Sequence, residues 1–152
     1  VQELDFIDNY IRIQQVGFGN RLKFVKHIDY TCLGIVIPPM ILQPLVENSV
    51  KYGIAPKDEG GTIVVTVKRI NQMIFFEVKD DGLGINSKKI MDGNSSGVGI
   101  RNTDERLRST FGPGSGLRIH SSTWGYSVSF FIPVIEENKL VNQAEEVKRE
   151  AV

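Results

Sequence analysis

Two runs of alternating apolar residues constrain this chain more than any other feature. Ile63, Val65 and Val67 alternate with Thr62, Val64 and Thr66, and after a turn at Asn71-Gln72 a second run sets Ile74, Phe76 and Val78 on one face. Successive strand side chains point to opposite sides, so the pattern predicts an antiparallel hairpin. The next segment is of another kind. Residues 82–99 hold Gly82, Gly84, Gly93, Gly97 and Gly99 among polar residues. That is too glycine-rich for regular structure apart from a turn of helix around Ser87–Met91, and a mobile loop is expected.

Around this centre the remaining elements follow from periodicity. Leu4, Ile7, Ile11 and, more weakly, Val16 recur at helical spacing, with a stop near Gly17-Phe18-Gly19-Asn20. Arg21 to Ile28 reads as a short strand. Pro38-Pro39 leads into a helix expected to run to about Gly53, with Pro44 bending its first turn or delaying its start. On that helix Leu42, Leu45, Val46, Ser49 and Val50 gather on one side, and Glu47, Asn48, Lys51 and Tyr52 on a wet one. Ile100 to Phe111 predicts another helix, closed by Gly112-Pro113-Gly114. Two strands follow, around Leu117–Ser121 and Ser127–Ile132, separated by a turn at Trp124-Gly125. The order helix, strand, helix, two strands, glycine loop, helix, two strands predicts an α/β (α+β) fold: a two-layer sandwich with a mixed, mostly antiparallel sheet and its helices on one face.

Composition mainly excludes. The 18 Lys and Arg cancel the 18 Asp and Glu, so no long-range field favours nucleic acid or an anionic membrane. The one cysteine, Cys32, rules out an internal disulfide and a cysteine-based zinc cluster, and reads as a small buried apolar residue. No apolar run approaches the roughly 20 residues of a spanning helix, so this piece is expected not to span a membrane. A chain opening on Val1 inside an amphipathic stretch suggests a piece of something longer, in which membrane segments lie upstream.

Three clusters carry chemistry. Glu47-Asn48-Ser49-Val50-Lys51-Tyr52-Gly53 sets a carboxylate, an amide, an ammonium and a phenol on neighbouring helical positions. An amide oxygen is a hard ligand suited to Mg²⁺, Lys approaches phosphate as a point charge, and Glu orients or deprotonates an attacking group. Taken alone, the same pattern describes a solvated helix face. Asp80-Asp81-Gly82-Leu83-Gly84-Ile85 follows directly on a strand. A carboxylate there can accept the amino group of adenine, with glycines letting the base approach the backbone; a plain Asp-Gly turn is the bland reading. Gly97-Val98-Gly99-Ile100-Arg101-Asn102 runs glycines into a helix start, where free N–H groups make a phosphate site. The dinucleotide fingerprint is not met, because its preceding strand, glycine spacing and βαβ unit are missing, and the Walker, nucleophile-elbow and zinc-helix patterns are absent.

Together, in this order, the clusters resemble a known family. Pro38 through Gly53 is similar to the N-box of LytS/YehU-type sensor histidine kinases, Asp80-Asp81-Gly82-Leu83-Gly84 to their first glycine box, and Gly97–Asn102 with Glu105-Arg106-Leu107 to their second. The likeness covers roughly residues 3 to 133 and implies the Bergerat fold of the gyrase, MutL and histidine-kinase ATP-binding domains. It implies ATP and Mg²⁺ as cofactors. Asn48 would coordinate the metal, Asp80 would bind the adenine amino group, Lys51 would face the phosphates, and Tyr52 would line the base or ribose. Gly82, Gly84, Gly97 and Gly99 would hinge a lid over the nucleotide, with Ile85, Ile100 and Asn102 beside them. Glu47 would assist transfer to histidine, and phosphoryl transfer, resting on positioning and charge neutralisation, needs no covalent nucleophile here.

On this reading residues 1–20 are a helix leading in from an absent dimerisation and phosphoacceptor region, 21–134 the ATP-binding catalytic domain, and 135–152 a charged tail. The function implied is the catalytic domain of a two-component protein-histidine kinase, on the cytoplasmic side of an inner-membrane-anchored sensor. Its partners would be a phosphoacceptor helix of the same or the partner protomer and a response regulator. The acceptor motif, roughly P-H-F-L-F-N, is missing; His27 and His120 fall in predicted strands and read as structural or surface histidines, so the fragment alone should not autophosphorylate. Two further departures stand out. Tyr126 follows Gly125 where the family often has a small hydroxyl residue, with Ser127 on the opposite strand face, and Asp81 replaces the commoner Asn. The alternatives are a non-catalytic module of the same fold that senses adenine nucleotides and a gyrase- or MutL-like ATPase.

Overall fold

The computed structural model describes residues 2–83 and 97–134. In chain order they form α1 (Gln2–Phe18), β1 (Leu22–Ile28), α2 (Leu42–Asn48), a π-helical turn (Ser49–Ile54), β2 (Gly61–Ile70), β3 (Met73–Asp80), α3 (Gly97–Phe111), β4 (Arg118–Ser122) and β5 (Gly125–Pro133). The five strands make one sheet in the order β1-β2-β3-β5-β4. Only β1 and β2 run parallel; every other neighbouring pair is antiparallel.

The alternation that predicts the hairpin decides which face of the sheet is buried. Val65 pairs with Val78, Val67 with Phe76, Phe76 with Phe130 and Val78 with Val128, so these apolar side chains share one side. All are essentially inaccessible to water. The Phe76 and Phe130 rings stack there with centroids 4.8 Å apart. Residues of opposite parity, Thr66, Phe75, Glu77, Ser127, Ser129 and Phe131, form the other, partly solvated face. The α/β sandwich with helices on one face is therefore the observed architecture.

The helical layer is pinned by a few polar contacts as well as by apolar packing. α1 buries Leu4, Ile7 and Ile11, while Val16, the weaker member of its stripe, is 89% exposed. Glu3, itself buried, accepts hydrogen bonds at Oε1 from the backbone N–H groups of Leu42 (2.6 Å) and Gln43 (3.0 Å). Those are first-turn donors that α2 cannot satisfy internally. From the other side Arg106 on α3 donates to the carbonyls of Pro39 (2.6 Å) and Met40 (3.0 Å).

The helix expected from Pro39 to about Gly53 differs at both ends. Met40 sits at φ 61°, a left-handed conformation that breaks any helix before Ile41, and the α-helix starts at Leu42. Pro44 then falls in the first turn, where its missing N–H has no partner to lose. At Ser49 the α-helix gives way to a π-helical turn, closed by Ala55 N–H to the Val50 carbonyl at 2.8 Å. The last helix starts at Gly97 rather than Ile100. The helical turn expected around Ser87–Met91 and the 135–152 tail lie outside the described residues.

Candidate functional site

At the end of the sheet where β3 finishes, three distant segments meet. Asp80 is the last residue of β3 and is cross-strand partner to Ile63 on one side and Tyr126 on the other. Its carboxyl points into the layer between sheet and helices and is 2% exposed. The π-helical turn packs against it. A methyl group on Gly53 would stand 2.6 Å from Asp80 Oδ1, and one on Gly82 would stand 2.3 Å from the Gly53 carbonyl carbon and oxygen. Glycine at both places is thus required by close approach rather than by backbone dihedral. Leu83 N–H reaches the Gly53 carbonyl at 3.2 Å, tying the strand exit to the helix end.

The two aspartates of the sequence cluster divide their work. Asp81 is exposed and accepts at Oδ1 from Thr62 N–H (2.7 Å), while its carbonyl accepts from Lys57 Nζ (2.9 Å), so it holds the start of β2. Asp80 accepts at Oδ1 from Gly82 N–H (2.9 Å), and its Oδ2 has no partner among the described residues. Burial pushes the Asp80 carboxyl up to about 6, against the pull of the neighbouring Ser49 hydroxyl and the Gly82 N–H. Removing a carboxylate from water disfavours its charged form, and these two neighbours do not offset that loss.

The other named residues surround this point unevenly. Asn48 is half-buried, and among the described residues its buried Nδ2 and the Ser49 Oγ have no hydrogen-bond partner. Glu47 accepts from Gln43 Nε2 at 3.0 Å, and Lys51, exposed, holds its ammonium 5.2 Å from the centre of the Tyr52 ring. The helix face expected to be wet is therefore half-buried except at Lys51. Gly97, Gly99, Ile100 and Asn102 occupy the first turns of α3, with Ile100 buried and Asn102 exposed. Gly99 approaches α2 at Pro44, one turn before Asn48. Gly84 and Ile85 lie outside the described residues. His27 and His120 are both exposed on the two edge strands, His120 opposite Ser127.

One participant escapes a reading of motifs, and another stands out there only as a departure from the family pattern. Ser49 counts as a core residue by periodicity, yet its hydroxyl lies beside the Asp80 carboxyl. Tyr126 is 5% exposed on the face it shares with Asp80, and Ser127 turns to the other side opposite Lys79. Four of the five buried side-chain N and O atoms without a partner among the described residues belong to Asn48, Ser49, Asp80 and Tyr126. Buried polar atoms are nearly always paired, so their concentration in one place marks a site built for a polar ligand.

The sequence profile described as histidine kinase-, DNA gyrase B- and HSP90-like ATPase matches residues 38–136. The chain belongs to this ATPase family. Among its relatives, sensor histidine kinase YesM of Bacillus subtilis is 35% identical over 120 residues, covering 79% of this chain and 21% of its own length. Sensor histidine kinase YpdA of Escherichia coli is 33% identical, covering 87% and 24%. Sensor protein LytS of Staphylococcus saprophyticus is 30% identical, covering 91% and 25%. The chain thus spans about a quarter of the length of these three relatives. The fold is also that of the catalytic domain of histidine kinase ThkA, with TM-score 0.56, 21% identity and coverage of 86% of this chain and 95% of that one. The mycobacterial sensor histidine kinase MprB aligns with TM-score 0.58 at 16% identity, covering 88% and 95%. As a GHKL-type ATPase domain, the chain binds ATP. Among the described residues no helix is long and apolar enough to cross a membrane.

Proposed function

We propose that this chain is the ATP-binding catalytic domain of a sensor histidine kinase, presenting Mg·ATP so that the γ-phosphate passes to a histidine on an upstream helix. The observation that carries the reading is the convergence of Asp80 and Gly82, at the exit of β3, with Gly53 of the π-helical turn around a buried carboxyl whose Oδ2 has no partner among the described residues. In this role Asp80 Oδ2 accepts the adenine amino group, and the flanking glycines leave room for a planar base against the backbone. Asn48 supplies an amide to the magnesium. Mg²⁺ takes few protein ligands and fills its octahedron with phosphate and water oxygens, so the one carboxamide oxygen of Asn48 is a sufficient protein share. Bound metal neutralises the phosphate oxygens; Lys51, exposed one turn further on, faces the same charge, and Glu47 assists transfer. Tyr52 lines the base or ribose side. Gly97 and Gly99 open the start of α3 to a phosphate oxygen, and with Gly82 and Gly84 they hinge the lid beside Ile85, Ile100 and Asn102.

The phosphoacceptor helix belongs to the same or the partner protomer, and a response regulator takes the phosphoryl group onward. A domain that draws on ATP works on the cytoplasmic side, beneath a membrane-anchored sensor. The non-catalytic nucleotide-sensing reading is not favoured, because relatives such as YesM and LytS are named as sensor kinases or sensor proteins. The test joins this domain to its upstream helices and supplies γ-labelled ATP. Acid-labile, base-stable label that Asn48→Asp removes supports the kinase; confirmed nucleotide binding with no label at all refutes it.

A further inference from the structure

Away from the nucleotide site, the first turns of α1 and the segment leading into α2 line a groove of about 610 Å³. Its wall is mostly apolar, and four large side chains around it stay open to water: Phe6 is 62% exposed, Leu33 52%, Val36 49% and Met40 48%. Single exposed apolar residues are ordinary, but several gathered around one concavity mark a binding surface. Glu3 lines the same groove and is 5% exposed. Its Oε1 accepts from the N–H groups of Leu42 and Gln43, whereas Oε2 is buried with no partner among the described residues. Arg106, whose charge is felt at Glu3, donates instead from Nη1 and Nη2 to the carbonyls of Met40 and Pro39. A carboxylate taken out of water normally finds donors for both oxygens. The groove thus joins an apolar wall to one unsatisfied acceptor.

We propose that this groove is a second ligand site, taking a small organic cation whose apolar body carries a primary ammonium or guanidinium that pairs with Glu3 Oε2. The volume is that of a small-molecule site, and a mostly apolar wall with one or two placed polar groups is the usual pattern of such sites. The apolar body covers Phe6, Leu33 and Val36, and the cation supplies the missing donor. A neutral apolar ligand would leave Oε2 buried and unpaired, and an anion would meet a like charge. Oε2 is itself beyond the reach of water, so the ligand parts the rim to meet it. Met40, unbranched and half exposed, is the side chain that yields. The groove and the nucleotide site lie at opposite ends of α2: Gln43 in its first turn lines the groove, and Asn48 closes the helix.

The experiment titrates the present chain with phenylbutylamine and with phenylbutanol, its neutral counterpart, and follows backbone amide shifts by NMR. The amine should bind about tenfold tighter than the alcohol, the worth of a charge-assisted hydrogen bond set against a neutral one. The shifts should centre on Glu3, Phe6, Leu33 and Met40 and persist in saturating ATP. Glu3→Gln keeps the size of the side chain, removes its charge and should bind the two probes equally. Should that variant not fold, Phe6→Ser, at an exposed position, should weaken both probes about tenfold by removing apolar contact area. Equal affinity of the wild type for amine and alcohol overturns the proposal, as does discrimination that survives Glu3→Gln or binding undiminished in Phe6→Ser. Shifts that gather around Asp80 and vanish with ATP overturn it too, and so does the absence of saturable binding. None of these outcomes bears on the nucleotide site, which ATP binding tests separately.

Discussion

Asp80→Asn separates what this residue does for folding from what it does for binding. The folded chain holds the Asp80 carboxyl up to about 6, against an ordinary 3.8, because burial disfavours the anion. A raised folded value means that the folded state binds the proton more tightly than the unfolded one. Its contribution to stability is therefore full below about pH 4 and is lost as pH rises through about 6. Each tenfold change in acidity corresponds to about 1.4 kcal/mol, so the whole span is worth about 3 kcal/mol. Asparagine cannot ionise. The stability gap between Asp80→Asn and wild type, taken from urea unfolding midpoints with equal slopes, should move by about 2.5 kcal/mol in favour of the variant between pH 4 and pH 8. Any fixed difference from the new amide N–H₂ is the same at both ends and cancels. Groups that titrate in both proteins, such as Glu3, whose pKa burial also raises, cancel too. The variant should meanwhile lose ATP affinity, a gain in stability at the expense of the site. A gap that stays flat within about 0.5 kcal/mol across this range would refute the buried-anion argument.

Other outcomes follow from single contacts. Gly53→Ala drives a methyl into the Asp80 carboxyl, and it should destabilise by roughly 1–3 kcal/mol and abolish nucleotide binding, read by thermal melts with and without ATP. Glu3→Ala strips the acceptor from Leu42 and Gln43 N–H and should lower stability by roughly 2–3 kcal/mol in urea, with Glu3→Gln retaining part of it. Phe76→Ala opens the stacked pair with Phe130 in the core and should cost roughly 3–5 kcal/mol by the same measurement.

Much of the layer plan was legible in the chain itself. The period-2 pattern of Ile63–Val67 and Ile74–Val78 names the buried face of β2 and β3, because every second side chain must leave water together. Leu42, Leu45 and Val46 mark the core side of α2 by the same logic at helical period. The ordered clusters at 47–53, 80–85 and 97–102 pointed to the nucleotide chemistry. Local pattern was silent on the parallel pairing of β1 with β2, on the left-handed Met40 that delays α2, and on the π-helical turn at Ser49.

The amino-acid sequence by itself determined where apolar faces form and which polar groups were on offer, since both depend on spacing along a single strand or helix. The period-2 pattern of β3, carried two residues past Val78, already sets Asp80 rather than Asp81 on the buried face, but only the tertiary structure decided that Gly53 rather than a side chain touches its carboxyl and that Tyr126 stands next to it. Those facts arise from which strand lies beside which and how closely two backbones approach. They are distances between residues far apart in the chain, and no local periodicity encodes them.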